Sequence, residues 1–172
     1  LPPERDVVFQ TSTIGALLQG VYDGDMALAE LRRQGDLGIG TVNGLDGELI
    51  VLNGACFAVR ADGRVHLLAT DTLTPFAAVT SFEADQTVPL GGVGSFAELQ
   101  ELLDARLPTP NLCYAIRITG IFSYVKTRSV PRQTRPYPKL AEVVSSQPVF
   151  EFGRISGTLV GFRLPGFVAV AG

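Results

Sequence analysis

The spacing of apolar residues changes from a helical to a strand period early in the chain. "TSTIGALLQG" places Ile14, Leu17 and Leu18 on one helical stripe, with Thr11 or Ser12 as N-cap and Gly20 as the stop. "DGDMALAELRRQG" repeats the pattern. Asp25 caps, Met26, Leu28, Ala29 and Leu31 face inward, and Arg32 and Arg33 sit in the last turn, where cations suit the helix dipole. The period then falls to two. "LGIGTVN", "ELIVLNG", "ACFAVRADG" and "RVHLLAT" are short runs parted by Asn-Gly and Asp-Gly pairs, which are hairpin turn signals. An antiparallel meander over 37–70 follows, and "PFAAVTSF" predicts a further strand. "SFAELQELLDARL" is the clearest helix, with Ser95 and Glu98 as a capping box and Leu99, Leu102 and Leu103 as its stripe. "NLCYAIRITGIFSYVKTRSV" reads as extended chain broken at Gly120, and "KLAEVVSSQ" as a short helix. "VFEFGRISGTLVGFRLP" reads as a closing pair of strands around Ser156 and Gly157. The class is α+β in one unit: a mixed, largely antiparallel sheet with a few helices.

Composition narrows the setting. The chain has 172 residues, 46% apolar and 18% charged, which points to surface buried against a partner subunit. No apolar run approaches the ~20 residues of a membrane span. The start, "LPPERDVVFQ", lacks a signal-peptide pattern, so a cytoplasmic protein without membrane contact is expected, preceded by an earlier segment because it begins with Leu. A net charge of -3 argues against nucleic acid as the main partner. Cys56 and Cys113 lie in apolar runs and predict buried free thiols. His66 is the one histidine, and with two separated cysteines it cannot make an ordinary zinc site from His and Cys alone. Asp23, Asp25 and Asp36 read as helix caps and termini.

The segment "VKTRSVPRQTRPYPK" concentrates Lys126, Arg128, Arg132, Arg135 and Lys139 without an acid. Strand alternation puts Tyr124, Lys126, Arg128 and Val130 on one face. Arg132 and Arg135 follow Pro131 in a loop. Three readings stay open: a solvated basic loop, an anion site, or a nucleic-acid surface, which ordinarily adds more exposed aromatics than Tyr124 and Tyr137. Glu48, opening a strand after "LDG", is either an exposed turn acid or a carboxylate aimed into a cleft as acid or base.

Five segments, taken in order, sharpen this. "TSTIGALLQGVYDGD", "GDLGIGTVNGLDGELIVLNG", "PFAAVTSF", "VKTRSVPRQTRPYPKL" and "FGRISGTLVGFRLPGF" resemble the acetolactate decarboxylases, over residues 8–172. The resemblance implies a bacterial, cytoplasmic homodimer that converts 2-acetolactate to acetoin and CO₂ in acetoin and butanediol formation. It implies Zn²⁺, and neither thiamine diphosphate nor pyridoxal phosphate. Loss of CO₂ leaves an electron pair that a Lewis-acidic metal can take up, while a fixed cation holds the carboxylate. By resemblance that cation is Arg128, whose planar fork suits a carboxylate. Glu48 belongs to the acid/base set, and Thr41 and Val130 line the substrate pocket. The zinc histidines of such proteins lie downstream of the "GFRLPGF" segment in an "HLH"-type motif. The metal ligands are therefore expected beyond Gly172, which makes 1–172 the N-terminal and central part of such an enzyme. The alternative is a non-catalytic or metal-free relative that binds a small keto acid or serves as an assembly subunit.

Overall fold

The computed structural model describes residues 6–168. Its centre is a six-stranded sheet made of β1 (Val8–Thr11), β3 (Leu37–Thr41), β4 (Glu48–Leu52), β5 (Ala55–Val59), β6 (Val65–Leu67) and β8 (Phe76–Thr80). The order is β1-β8-β3-β4-β5-β6, and each neighbouring pair is antiparallel. β3 to β6 form the meander expected over 37–70. Its turns use the predicted chemistry: Asn53 and Gly54, between β4 and β5, both take positive φ (50° and 73°), as a two-residue hairpin turn requires. β8 does not extend the meander. It returns to pair with β3 on one side and β1 on the other.

Two short strands, β2 (Met26–Ala27) and β7 (Leu73–Thr74), form a separate pair. This corrects the second helix. Asp25 caps nothing there, and α2 is only Leu28–Leu31, with Ala27 at its N-cap. The reason is competition for donors: the N–H groups of Leu28 and Ala29 bond the carbonyls of Thr72 and Thr70 at 2.9 and 2.7 Å. The first helix, α1 (Ile14–Leu18), is capped by Thr13 rather than Thr11 or Ser12, because Thr11 is already in β1. α3 (Phe96–Asp104) starts at Ser95, whose hydroxyl accepts from the Glu98 N–H at 3.1 Å. The return bond of the capping box goes to Gly94 instead of Ser95. α4 (Leu140–Val144) is the expected short helix.

The chain's last long elements are β9 (Tyr114–Arg128) and β10 (Val149–Arg163), paired along their length as a two-stranded ribbon. Neither predicted break occurs. Gly120 and Gly157 face each other across the ladder, and Ser156 pairs with Ile121. Both glycines are extended members of a ladder, and no turn forms at either. The strand-like reading of the ending "FVAVAG" falls, from Ala169 onward, outside the described residues.

Two apolar cores hold the sheet. One joins Leu28 and Leu31 of α2 to Leu49, Val51, Cys56, Ala58, Ala77 and Val79. The other joins Leu17, Tyr22, Leu45, Val130 and Val143, and so clamps α1, α4 and the segment after β9 onto the β3–β4 turn. Cys56 is buried as expected; Cys113 is exposed, because it lies in the loop before β9 begins. Among the described residues no helix is long and apolar enough to cross a membrane.

Candidate active site

The β3–β4 connection builds the site's floor. A single 3₁₀ turn, η1 (Asn43–Leu45), and Gly47 at φ 101° reverse the chain, so that Thr41 faces Glu48 across the ladder. A Cβ on Gly47 would lie 2.4 Å from the Val59 carbonyl oxygen, so the turn is pressed against the end of β5. Thr41 is buried, and its hydroxyl donates to the Gly47 carbonyl at 2.9 Å. Its own carbonyl accepts from the Thr74 hydroxyl at 2.7 Å. Asp46 and Arg60 pair at 3.1 Å across the same end of the sheet.

Glu48 is half-buried at the first position of β4. Burial pushes its carboxyl above the usual value, because a charge in a poorly solvated site is disfavoured. The Val130 N–H donates to it and pulls it part of the way back. This is a carboxyl suited to hold a proton nearer to neutral pH than an exposed one.

Val130 reaches Glu48 through the end of the ribbon. β9 stops at Arg128, and the next two residues turn inward. Ser129 is fully buried, and its hydroxyl donates to the Val59 carbonyl at 2.6 Å. Val59 is Glu48's ladder partner on β5. The alternation that placed Val130 on one face with Arg128 therefore ends at Arg128, which is exposed while Val130 is buried. Val130 contributes its side chain to the second core. Arg128 is exposed at the ribbon's end and makes no ion pair among the described residues.

The other cations disperse. Lys126 pairs with Glu151, its ladder partner, at 3.5 Å. Arg135 pairs with Asp23, which is thereby an ion-pair partner and no helix cap. Lys139 supplies the N-cap backbone of α4. Arg132 lies over the η1 turn, with its Cγ 3.9 Å from where a Cβ on Gly44 would sit. Two clefts of about 230 and 280 Å³ flank the turn at Asn53, at the other end of β4, and neither is lined by Glu48 or Arg128.

The model of the alpha-acetolactate decarboxylase family matches residues 8–172. The chain belongs to that family. An alpha-acetolactate decarboxylase of Methanosarcina mazei is 52% identical over 163 residues, 95% of this chain and 57% of its own length. One of Methylococcus capsulatus is 47% identical, covering 98% of this chain and 66% of the relative. The chain thus spans between about half and two thirds of these relatives. The crystal structure of the Bacillus subtilis strain 168 alpha-acetolactate decarboxylase superposes with a TM-score of 0.90 at 41% identity, over 93% of this chain and 68% of that one. A Staphylococcus aureus protein of unknown function, similar to the same family, also superposes at 0.90, with 32% identity. The expected α+β fold is the fold of these acetolactate decarboxylases.

A zinc site does not form from the described part of this acetolactate decarboxylase family member. Among the described residues no three His, Cys, Asp or Glu side chains converge as metal donors. His66 lies on the edge strand β6 with Asp62 at 3.4 Å, and Cys56 and Cys113 are both free. Sequence reasoning missed Ser129 and the Asp23 contacts. Ser129 carried a signal, a small polar residue between a cation and an apolar one at a strand end. Asp23 carried none, since its partner lies 112 positions away.

Proposed function

We propose that this chain carries out part of the decarboxylation of 2-acetolactate to acetoin and CO₂. One observation carries the reading beyond family membership: Ser129 bonds Val59, the ladder partner of the half-buried Glu48, directly after an exposed Arg128 without an ion-pair partner among the described residues. The Arg128 guanidinium takes the substrate carboxylate with a two-pronged, charge-assisted contact. The bond from the carboxyl carbon to the hydroxyl-bearing carbon breaks, CO₂ leaves, and the electron pair passes to the neighbouring ketone as an enediolate. The Glu48 carboxyl delivers a proton to the carbon that lost CO₂, and fixing it on one side gives acetoin a defined handedness. Thr41 keeps Glu48 in place through the β3–β4 turn.

Among the described residues no cluster of His, Cys, Asp or Glu donors is present for the zinc ion that the resemblance implies. The proposal includes a cytoplasmic setting and a homodimer, which sedimentation of the purified protein tests. The decisive experiment is acetoin formation from acetolactate, with zinc added and metal content measured. Acetoin that disappears in Arg128→Ala supports the reading. No acetoin from metal-loaded protein overturns it, and Arg128-dependent binding of a small keto acid without turnover establishes the binding-only alternative.

A further inference from the structure

The turn between β4 and β5 has an uncommitted cation beside it. Arg32 is the C-cap of α2; it is exposed and makes no ion pair among the described residues. Its Nη2 lies 4.0 Å from where a Cβ on Gly54 would sit, so the guanidinium stands over the turn. There it borders the cleft of about 230 Å³. Asn53 borders both this cleft and the neighbouring one. Its side-chain oxygen accepts from the Arg117 Nη1 at 3.3 Å, and Arg117 is itself held 5.0 Å over the Phe82 ring. With the oxygen turned to Arg117, the Asn53 amide nitrogen is left to donate on the Arg32 side.

Most of the remaining wall is apolar. Leu28 is buried at its base, Leu68 packs against the first core, and Leu67 is 73% exposed on the edge strand β6. Among the described residues no Asp or Glu lines this cleft. These features select a ligand by its chemistry. Two donors, one of them charged, match an anion, and a carboxylate fits the guanidinium fork. The leucines match an aliphatic tail, and covering Leu67 takes apolar surface out of water. The volume falls below the roughly 300 Å³ at which drug-sized pockets begin, so the tail is short. An ammonium group on the same ligand would meet no acid here and would lose its hydration against the leucines.

We propose that this cleft binds a short-chain aliphatic carboxylate: Arg32 and the Asn53 amide nitrogen take the carboxylate, and Leu28, Leu67 and Leu68 take the tail. The cleft lies at the opposite end of β4 from Glu48 and uses neither Glu48 nor Arg128, so it stands or falls apart from the decarboxylation reading.

The test is a titration of the 172-residue chain with isovalerate, followed by backbone amide chemical shifts. Saturable shifts are expected in residues 53–56 and 67–70, and they persist in Arg128→Ala. Arg32→Ala is expected to weaken binding by about tenfold or more, the loss of a charge-assisted contact. Arg32→Lys, which keeps the charge without the fork, weakens it less. Leu67→Ser weakens it through the tail. Arg33→Ala is the control, an exposed neighbouring arginine that does not line the cleft, and it changes nothing. Isovaleramide, with the same tail and no charge, and L-leucine, with an added ammonium, both bind more weakly than isovalerate. Three results overturn the proposal: no saturable shifts at these residues, isovaleramide binding as well as isovalerate, or full affinity in Arg32→Ala. Loss of the shifts in a natively folded Arg128→Ala protein also overturns it, because the carboxylate then sits at the candidate active site.

Discussion

In the six-stranded sheet no strand is longer than five residues, and the turns between them carry glycines at positive φ. In the β9–β10 ribbon, two strands of 15 residues run side by side with Ile121, Tyr124 and Val149 exposed. A two-stranded ribbon by itself is marginally stable. This one is tied to the sheet at a few points. Arg117 sits 5.0 Å over the Phe82 ring and donates to Asn53 at 3.3 Å. Phe150 packs on Gly63, 2.7 Å from where a Cβ would be, and Ser129 bonds Val59. The candidate site needs both regions. The sheet supplies a carboxylate kept from water, and the ribbon's end supplies a cation left in it. A proton donor gains from desolvation, whereas a guanidinium that must capture a dissolved anion gains from exposure.

That division can be broken at its two halves. The largest effect is expected from Arg128→Ala. If its guanidinium holds the carboxylate, decarboxylation falls by about 10³-fold in kcat/KM, the scale of a lost charge-stabilising donor. Thermal stability stays unchanged, because Arg128 makes no ion pair among the described residues. Arg132→Ala, in the loop after Pro131, is expected to change the rate less than about threefold. Equal losses would mean that the ribbon's end and that loop act as one basic surface.

Next in size is a glycine in the sheet. A Cβ on Gly38 would meet the Ala78 carbonyl oxygen at 2.2 Å and Val79 Cγ1 at 2.5 Å. Gly38→Ala is expected to cost about 2–3 kcal/mol in denaturant unfolding, the range of overpacked cores. Glu48→Gln probes the sheet's half of the site through pH. The Glu48 carboxyl titrates above its unfolded value, so between the two values the folded state binds more proton and stability falls as pH rises. Glu48→Gln removes that fall, so it is expected to be more stable than the parent at neutral pH. The difference shrinks below the ordinary carboxyl range, and melting curves at pH 4 and pH 7 measure it. The smallest effect belongs to the ribbon's own glycine. Nothing lies within 4 Å of a Cβ on Gly157, so Gly157→Ala is expected to be neutral or to stabilise by about 0.5 kcal/mol. A large loss there would show that the ribbon is packed against something the exposed surface conceals.

The contrast also explains which parts of the sequence could be read. The turn at Asn53 and Gly54 was legible because a two-residue hairpin demands positive φ from both residues, a local constraint with a local signature. Gly120 and Gly157 carried the same letter but face each other in mid-ladder, so the predicted break and the predicted hairpin were both wrong. Helix 25–35 was misread for a related reason. Its apolar spacing fits a helix, but the 70–72 loop and β7 claim the backbone of its first residues. At the site, Glu48 and Arg128 were marked by their places at strand ends and by resemblance. Val130 was assigned to the pocket by resemblance, and the structure buries its side chain in the second core.

By itself the sequence determined the strand meander over 37–70, the caps and stripe of α3, the family, and the two charged residues on which the proposed chemistry stands. The meander and α3 follow from short-range rules, turn geometry and helical period, whereas the family and the two charged residues follow from resemblance. Only the tertiary structure decided that β8 sits between β1 and β3, and that the ribbon runs unbroken. It alone showed that Ser129 meets Val59, the ladder partner of Glu48, and that Asp23 meets Arg135. The last two contacts join residues 70 and 112 positions apart, and no local preference encodes a partner at that distance. They are chosen when burying the shared core fixes which chain segments lie side by side.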